Sequence, residues 1–142
     1  MRHRLPLLPL LSALLLGATL ASSAPAGEGP AASDLPAPDL AVRNLISSYG
    51  RAVETRDVEL FRSLMPGISI GAERRLRESF GTIQSQRIGM TIDFIDVGGK
   101  TATVCVSRAD TIDGRRMKPV QQVFHLVLLD DGWRIHSLSA SR

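Results

Sequence analysis

Cysteine is nearly absent from this chain, since Cys105 is the only one among its 142 residues. No internal disulfide can form, so a hydrophobic core must hold the fold together, and roughly 100 residues can supply one. Cys105 stands between two valines in the segment TATVCVSR. This setting favours a small buried hydrophobic residue over a reactive thiol, and we do not expect a catalytic cysteine.

The chain also lacks a strong excess of charge of one sign. It has 17 basic and 14 acidic side chains, which give a formal net charge of +3. Arg2 and Arg4 lie in a first segment that we expect to be removed, and 15 basic against 14 acidic side chains then leave +1. The local cluster ERRLR at 73–77 mixes both signs, as a solvated helix face does. We therefore predict no nucleic-acid partner.

Motifs of common active sites are missing as well. There is no G-x-S-x-G, no phosphate-binding loop and no group of Cys and His at the spacing of metal ligands. Aspartates occur in pairs in DFIDVGGK (93–100) and ADTIDGRR (109–116), beside predicted hairpin turns, and we interpret them as turn residues. We expect no catalytic residue, no cofactor and no metal site.

The first recognisable feature that the chain does contain is a targeting signal at its N-terminus. Residues 1–26 begin with MRHR, continue with the apolar run LPLLPLLSALLLGATLA and end in small residues. This order predicts a cleaved secretory signal peptide, because the run is short for a membrane span and contains Pro6 and Pro9. We expect a secreted or periplasmic protein that meets the membrane only through this segment. Residues 27–39, rich in Pro, Ala and Gly, are a predicted spacer.

One domain is predicted over residues 40–140, and it starts with three amphipathic helices. Asp57 is placed to cap the second helix, Pro66-Gly67 ends it, and the third is expected from about Gly71 to Gln84. The apolar face of the first helix consists of Val42, Leu45, Ile46, Tyr49, Ala52 and Val53.

After QSQR the apolar period changes from about four residues to two, which predicts strands. The phase slips near Phe94–Ile95, as at a β-bulge, and turns are expected at Gly98-Gly99, Asp113-Gly114 and Asp131-Gly132. The third long strand is apolar on both faces, which favours a central position in the sheet. The prediction is an α+β fold in which N-terminal helices pack on a four-stranded antiparallel meander.

The order of these elements resembles the nuclear transport factor 2-like superfamily. The resemblance rests on LISSYGRAVETRDVELFRSL at the start of the domain and FHLVLLDDGWRIHSLS at its end. It implies a cone of curved sheet closed by N-terminal helices. Enzymes of this superfamily usually have a pair of strands between the second and third helices, where this chain has only PGISIG. In this respect the chain is similar to the shortened versions appended to bacterial signalling and repeat proteins.

Ketosteroid isomerases and SnoaL-like cyclases belong to the same superfamily, so the resemblance raises an enzyme as an alternative. The isomerase pattern needs a carboxylate base and two hydrogen-bond donors to an oxyanion, a tyrosine and a protonated acid. Tyr49 falls near that tyrosine, but no Asp or Glu lies between Glu59 and Glu73 to act as the base. Phe124 stands where the acid would be.

We therefore predict a non-catalytic binding or interaction module. Its cleft between helices and sheet would hold a small apolar ligand, although the same side chains could fill the core instead. The predicted lining residues are Tyr49, Phe61, Phe80, Phe124 and Trp133. The alternative is a small isomerase- or cyclase-like enzyme that acts on an apolar molecule in this cleft, and a titratable group inside the cleft would favour it.

The opposite face of the sheet is predicted to be a self-interface. If Asp131-Gly132 forms the turn, position 127 pairs with 136 and position 125 with 138, which brings both histidines to this face. The predicted interface consists of Val123, His125, Val127, Leu129, His136 and Leu138. Its aliphatic side chains would form an exposed patch, so we expect a homodimer or another protein partner to cover it. Two histidines are too few ligands for a metal.

Overall fold

The computed structural model describes residues 37–141, so the predicted signal peptide and most of the predicted spacer lie outside the described residues. The helices are α1 Pro38–Thr55, α2 Val58–Leu64 and α3 Ile70–Thr82. The strands are β1 Gln86–Gly98, β2 Thr101–Ile112, β3 Arg115–Arg116, β4 Val120–Leu129 and β5 Gly132–Ser141.

Helix α1 begins at a proline and presents one apolar face. Pro38 suits the first turn because its nitrogen has no hydrogen to leave unpaired, and Asp39 in the same turn forms an ion pair with Arg43 at 2.7 Å. The helix ends where Arg56 adopts a left-handed conformation with φ 57°. All six residues that the sequence predicted for this face are buried, and Gly50 is buried with them.

The next two helices are short and are capped by side chains. Asp57 accepts a hydrogen bond from the Leu60 backbone N–H at 2.9 Å, which confirms the predicted cap of α2. Ser69 accepts from the N–H of Ala72 at 3.2 Å at the start of α3. The residues between α2 and α3 form no strand, so the strand pair that the sequence lacks is absent from this part of the structure.

The strands form one curved, unclosed antiparallel sheet in the order β1-β2-β4-β5, with β3 paired to β2. The α+β meander is therefore confirmed, and β4 lies inside the sheet between β2 and β5, as its two apolar faces predicted. The Asp113-Gly114 turn is confirmed too, with φ values of 49° and 78° that suit a two-residue hairpin. The first hairpin turns at Gly99-Lys100, one residue later than predicted.

Helix α1 packs against the inner face of the sheet, and the core lies between them. A side chain at Gly50 would approach the Met90 sulfur to 3.1 Å, so the glycine allows the helix to lie close to β1. The core residues contributed by the strands are Ala102, Val104, Val106, Phe124, Leu126, Trp133 and Ile135. Trp133 and the apolar phase around Phe124 face the helices, as predicted.

A β-bulge interrupts β1 at Asp93. Ile92 pairs with Val106 and Phe94 pairs with Cys105, which leaves Asp93 as the extra residue. The predicted bulge near Phe94–Ile95 therefore lies one to two residues earlier, and beyond it the other phase of β1 faces the core.

The predicted register of the last hairpin is wrong. The turn consists of Asp130-Asp131 instead of Asp131-Gly132, so Val127 pairs with Arg134 and not with His136. A second bulge, at His136, then shifts the phase of β5 by one residue. Leu138 consequently lies opposite Phe124 and packs against the core, which removes it from the predicted outer interface.

Candidate functional site

A group of polar side chains occupies one end of the core-facing side of the sheet. Arg108 and Asp110 continue the inward phase of β2 that starts with Ala102, Val104 and Val106. The alternation of the strand therefore turns a charged pair toward the helices, and only 14% and 13% of these two side chains are exposed. The group, here called the polar cluster, consists of Tyr49, Gln86, Arg108, Asp110 and Gln122.

Arg108 connects the members of the polar cluster. Its Nε and Nη2 donate to the two carboxylate oxygens of Asp110 at 2.8 and 2.6 Å, a two-bonded arrangement that suits the planar guanidinium. Its Nη1 donates to the Tyr49 hydroxyl oxygen at 3.2 Å. Gln86 Nε2 adds a third donor to Asp110 at 3.1 Å.

Burial and charge set the ionisation of the cluster. Burial raises the pKa of the Tyr49 hydroxyl above its ordinary value of 10.0, and the nearby charge of Arg108 offsets only part of this rise. Burial alone would lower the pKa of Arg108, but hydrogen bonds and charge from Asp110 and Tyr49 outweigh it, so that pKa is raised. At neutral pH the phenol is therefore neutral and the guanidinium is charged.

Two amide oxygens in the cluster have no partner among the residues that the structure describes. They are Oε1 of Gln86 and Oε1 of Gln122, in side chains of residues that are 9% and 6% exposed. Gln122 lies on β4, opposite Val106 on one side and Ala140 on the other. A buried acceptor without a hydrogen bond costs about 1–3 kcal/mol, so an unpaired one calls for an explanation.

All five predicted lining residues are buried in one core: Tyr49, Phe61, Phe80, Phe124 and Trp133. The Tyr49 ring lies 5.0 Å from Phe124 in an edge-on arrangement and 5.5 Å from Phe61. Tyr49 thus reaches aromatic core residues with its ring and the polar cluster with its hydroxyl. Whether the five line a cavity stays a prediction.

The interpretation of every aspartate in ADTIDGRR as a turn residue is wrong for Asp110. Asp113 does stand in the turn, whereas Asp110 faces the helices beside Arg108. The sequence held a signal for this, because Arg108 and Asp110 share the phase of Val104 and Val106. Gln86 and Gln122 likewise share the core-facing phases of Ile88 and Phe124 on their own strands.

The isomerase pattern is not completed at this site. Phe124 lies against Tyr49, where the second donor of the pattern would be needed, and its ring offers no polar atom. The carboxylate in the cluster belongs instead to Asp110, whose two oxygens already accept three hydrogen bonds. The arrangement can position a polar group of a ligand more readily than it can remove a proton.

The outer face of the sheet keeps part of the predicted interface. Val123 and Val127 are half-buried, Leu129 is 45% exposed, and both histidines are exposed. His136 is the bulge residue beside the pair formed by His125 and Ser137. The His125 Nδ1 lies 3.5 Å from the Thr103 hydroxyl on the neighbouring strand.

A shallow groove of about 450 Å³ lies where the end of α1 meets α3. Its lining includes Arg77 and Phe80, so one predicted pocket residue borders this groove. Arg77 is already held by Glu73 and Glu59 at 2.8 and 2.9 Å, which leaves it a poor anchor for a ligand.

Residues 37–141 contain no group of three or more His, Cys, Asp or Glu side chains that could hold a metal ion. Within the same range, none of the helices has the length and apolar composition needed to span a membrane.

Comparison with known proteins identifies the fold through structures alone. No protein-family profile matches the chain, and no curated protein matches it. A domain of unknown function with a cystatin-like fold from Nostoc punctiforme superposes with a TM-score of 0.64 at 17% identity, over 76% of this chain and 78% of the other. A nuclear transport factor 2-like protein from Streptomyces avermitilis, proposed to be a dehydratase, gives 0.61 at 17% identity over 73% and 95%.

A third similar structure comes from Thiobacillus denitrificans and is proposed to be a calcium/calmodulin-dependent protein kinase type II association domain. It gives a TM-score of 0.61 at 16% identity, over 75% of this chain and 95% of the other. The structural neighbours show a nuclear transport factor 2-like fold, as the sequence predicted, and at these identities they show the fold alone.

Proposed function

We propose that this nuclear transport factor 2-like domain is a non-catalytic module that binds a small molecule between α1 and the sheet. The observation that carries the proposal is the polar cluster, which places hydrogen-bonding groups next to aromatic side chains on the face of the sheet that α1 covers. Ligand sites commonly combine an apolar lining with a few placed polar groups. Gln86 and Gln122 retain unpaired acceptors there.

The same cluster argues against proton abstraction as its task. A general base needs an accessible lone pair, and the Asp110 carboxylate is occupied by Arg108 and Gln86. The raised pKa of Tyr49 keeps its phenol protonated at neutral pH, so it can donate a hydrogen bond but cannot act as a base.

An isomerase-, cyclase- or dehydratase-like enzyme is the second candidate. The observation in its favour is that one carboxylate, Asp110, and one phenol, Tyr49, do lie in the same buried cluster. The Streptomyces avermitilis protein of the same fold is proposed to be a dehydratase. The two candidates differ in outcome: the module releases its ligand unchanged, whereas the enzyme releases a product of different structure.

The experiment is native mass spectrometry of the protein purified from its own host. We expect a small molecule bound to the wild-type domain and to Val127→Glu, a variant on the outer face. Arg108→Leu combined with Asp110→Leu should lose it, because removing both charges together dismantles the cluster without leaving an unpaired buried charge.

A wild-type protein that carries no small molecule in any host preparation would contradict the binding module. If a small molecule is found, it is recovered and incubated with fresh protein. A change in the structure of the molecule would show that the protein is an enzyme and not a binding module.

We also propose that the module acts outside the cytoplasm and associates with a second copy of itself. Export is supported by the signal-like segment of residues 1–26. Self-association is supported by Val123, Val127 and Leu129 on the outer face. The similar structure from Thiobacillus denitrificans is also proposed to be an association domain.

A further inference from the structure

We infer that the molecule bound at the polar cluster is uncharged and donates hydrogen bonds, and that the amide oxygen of Gln122 receives one of them. This inference rests on the proposed function, because it names the chemical class of the ligand for that site. Two observations carry it: the charges of the cluster are paired with each other, and two of its hydrogen-bonding atoms are unpaired within the described part of the chain.

The charges of the cluster cancel. Arg108 and Asp110 are the charged residues among the core-facing positions of the four long strands, and they pair with each other at 2.6 Å. An anion would have to compete with Asp110 for the guanidinium, and a cation would have to compete with Arg108 for the carboxylate. A neutral ligand avoids both costs.

The unused atoms that are fully buried are acceptors. Gln86 must turn its amide nitrogen toward Asp110, because an ionised carboxylate can only accept, and its oxygen is therefore the atom left without a partner. The Gln122 side chain forms a hydrogen bond with the Tyr49 hydroxyl that lowers the pKa of the phenol, as a donor does, so its nitrogen faces Tyr49. Its oxygen then lacks a partner among the described residues. A ligand satisfies these oxygens only if it brings N–H or O–H groups.

The surroundings of Gln122 add a preference for a flat apolar body. Gln122 precedes Phe124 on the same face of β4, and the Tyr49 ring meets Phe124 edge-on at 5.0 Å. Gln122 is also the more deeply buried of the two glutamines. An aromatic ring carrying one neutral donor group combines the features that this end of the cluster recognises.

Three probes of nearly the same shape separate the choices of charge. Benzamide is neutral and donates hydrogen bonds, benzoate is an anion without donors, and benzamidinium is a cation with donors. In calorimetric titrations of the domain at neutral pH, we expect benzamide to bind at least tenfold more tightly than either charged probe. Tighter binding of benzoate would assign the site to Arg108, and tighter binding of benzamidinium would assign it to Asp110; either result overturns the inference.

A pair of adjacent variants tests the role of Gln122 itself. Gln122→Met keeps the length of the side chain and removes the amide, so benzamide binding should weaken at least tenfold. Gln121→Met is the matched control, because Gln121 is exposed and donates to Ser107 on the outer face. Equal benzamide affinity of wild type and Gln122→Met would overturn the inference.

The midpoint of urea unfolding provides a second test, which distinguishes a ligand-binding role of Gln122 from a purely structural one. Benzamide should raise the midpoint of urea unfolding of the wild type, because a ligand that binds the folded state stabilises it, and should raise the midpoint of Gln122→Met much less. An equal rise in the two proteins would overturn the inference.

Failure of this inference and failure of the proposed function can be told apart. If no probe binds although the protein from its host carries a small molecule, the module stands and the neutral-donor class is wrong. If the host protein carries nothing and no probe binds, both are wrong.

Discussion

Tyr49 is the residue at which the apolar core and the polar cluster meet. Its ring contacts Phe61 and Phe124, while its hydroxyl oxygen accepts a hydrogen bond from Arg108, and the residue as a whole is only 3% exposed. The position demands both a large apolar ring and a polar end, which is the combination that tyrosine provides. Its burial has a consequence that can be measured in the folded protein.

We expect the domain to lose stability in alkaline solution through Tyr49. The folded state raises the pKa of this phenol above the value of about 10 of an exposed tyrosine, because burial disfavours the charged form. The stabilising difference is therefore complete below pH ~10 and is lost as the pH rises toward the raised pKa of the folded state. Urea unfolding at stepped pH measures the loss.

The chain has a single tyrosine, so the ultraviolet absorbance of tyrosinate reports this residue alone. Tyr49→Phe should show a smaller alkaline loss than the wild type, since the remaining titrating groups are shared by both proteins. A tyrosinate titration centred at or below pH ~10 in the folded protein would contradict the prediction.

At the scale of elements, the Asp113-Gly114 turn does more than join two strands. The Asp113 carboxylate accepts from the backbone N–H groups of Gln84 and Ser85 at 2.9 and 2.8 Å, and its own N–H donates to Ser85 O at 2.9 Å. The turn therefore fastens the link between α3 and β1 to the far end of β2. Residue 113 also has a positive φ, which Asp and Asn tolerate better than other non-glycine residues.

Asp113→Ala should lower the free energy of unfolding by about 1–3 kcal/mol, because it removes two hydrogen bonds and strains the turn. Asp113→Asn is the matched variant: it keeps an acceptor oxygen and tolerates the positive φ, so its loss should be smaller. Urea unfolding followed by the fluorescence of Trp133, the single tryptophan, measures both. Equal losses for the two variants would show that the Asp113 carboxylate does not hold the link between α3 and β1 in place.

At this scale, both edge strands of the sheet also contain a β-bulge. β1 has a bulge at Asp93 and β5 has one at His136, and both strands lie at the edges of the sheet. Bulges bend an edge and disturb its row of unpaired backbone groups, which hinders pairing with another sheet edge. Self-association is therefore expected through the outer face of the sheet instead of through its edges.

At the scale of the whole molecule, the apolar residues of the outer face differ from those that the sequence predicted. Leu138 belongs to the core, and Val123, Val127 and Leu129 remain on the outer face. Phe94, which follows the Asp93 bulge, joins them in the row of Cys105 and Val123 and is 55% exposed. Both valines are already half-buried within the monomer. A homodimer through this face therefore stays a prediction.

Sedimentation at several protein concentrations tests this dimer at neutral pH. Val127→Glu should shift the protein to monomer, because it places a charge in the middle of the remaining apolar residues. Thr91→Glu is the control, since Thr91 is exposed on the same face of the sheet but on β1. If wild type and Val127→Glu both sediment as monomers, the face is not a self-interface.

The local pattern of the chain was sufficient for most of the fold. The apolar face of α1, the Asp57 cap, the Asp113-Gly114 turn and the inward phase of β4 each depend on neighbouring residues, and the structure confirms them. Helical and strand periods are set by backbone geometry, so a sequence reveals them without knowledge of what packs against them.

The bulge at His136 was decided only by the tertiary structure. A bulge adds one residue to one strand, and whether the extra residue is accommodated depends on how the paired strand and the core hold both sides. Periodicity alone placed Leu138 outside, whereas the pairing with Phe124 brings it inside.

The polar cluster was likewise a product of packing. Arg108 and Tyr49 are 59 residues apart in sequence, and only the docking of α1 on the sheet brings them together. Charged residues near the end of a strand indicate solvent when they are considered one at a time, because most of them are exposed. The sequence by itself determined the elements and the faces of the central strand; the contacts between helix and sheet decided which polar groups were buried, and with them the candidate site.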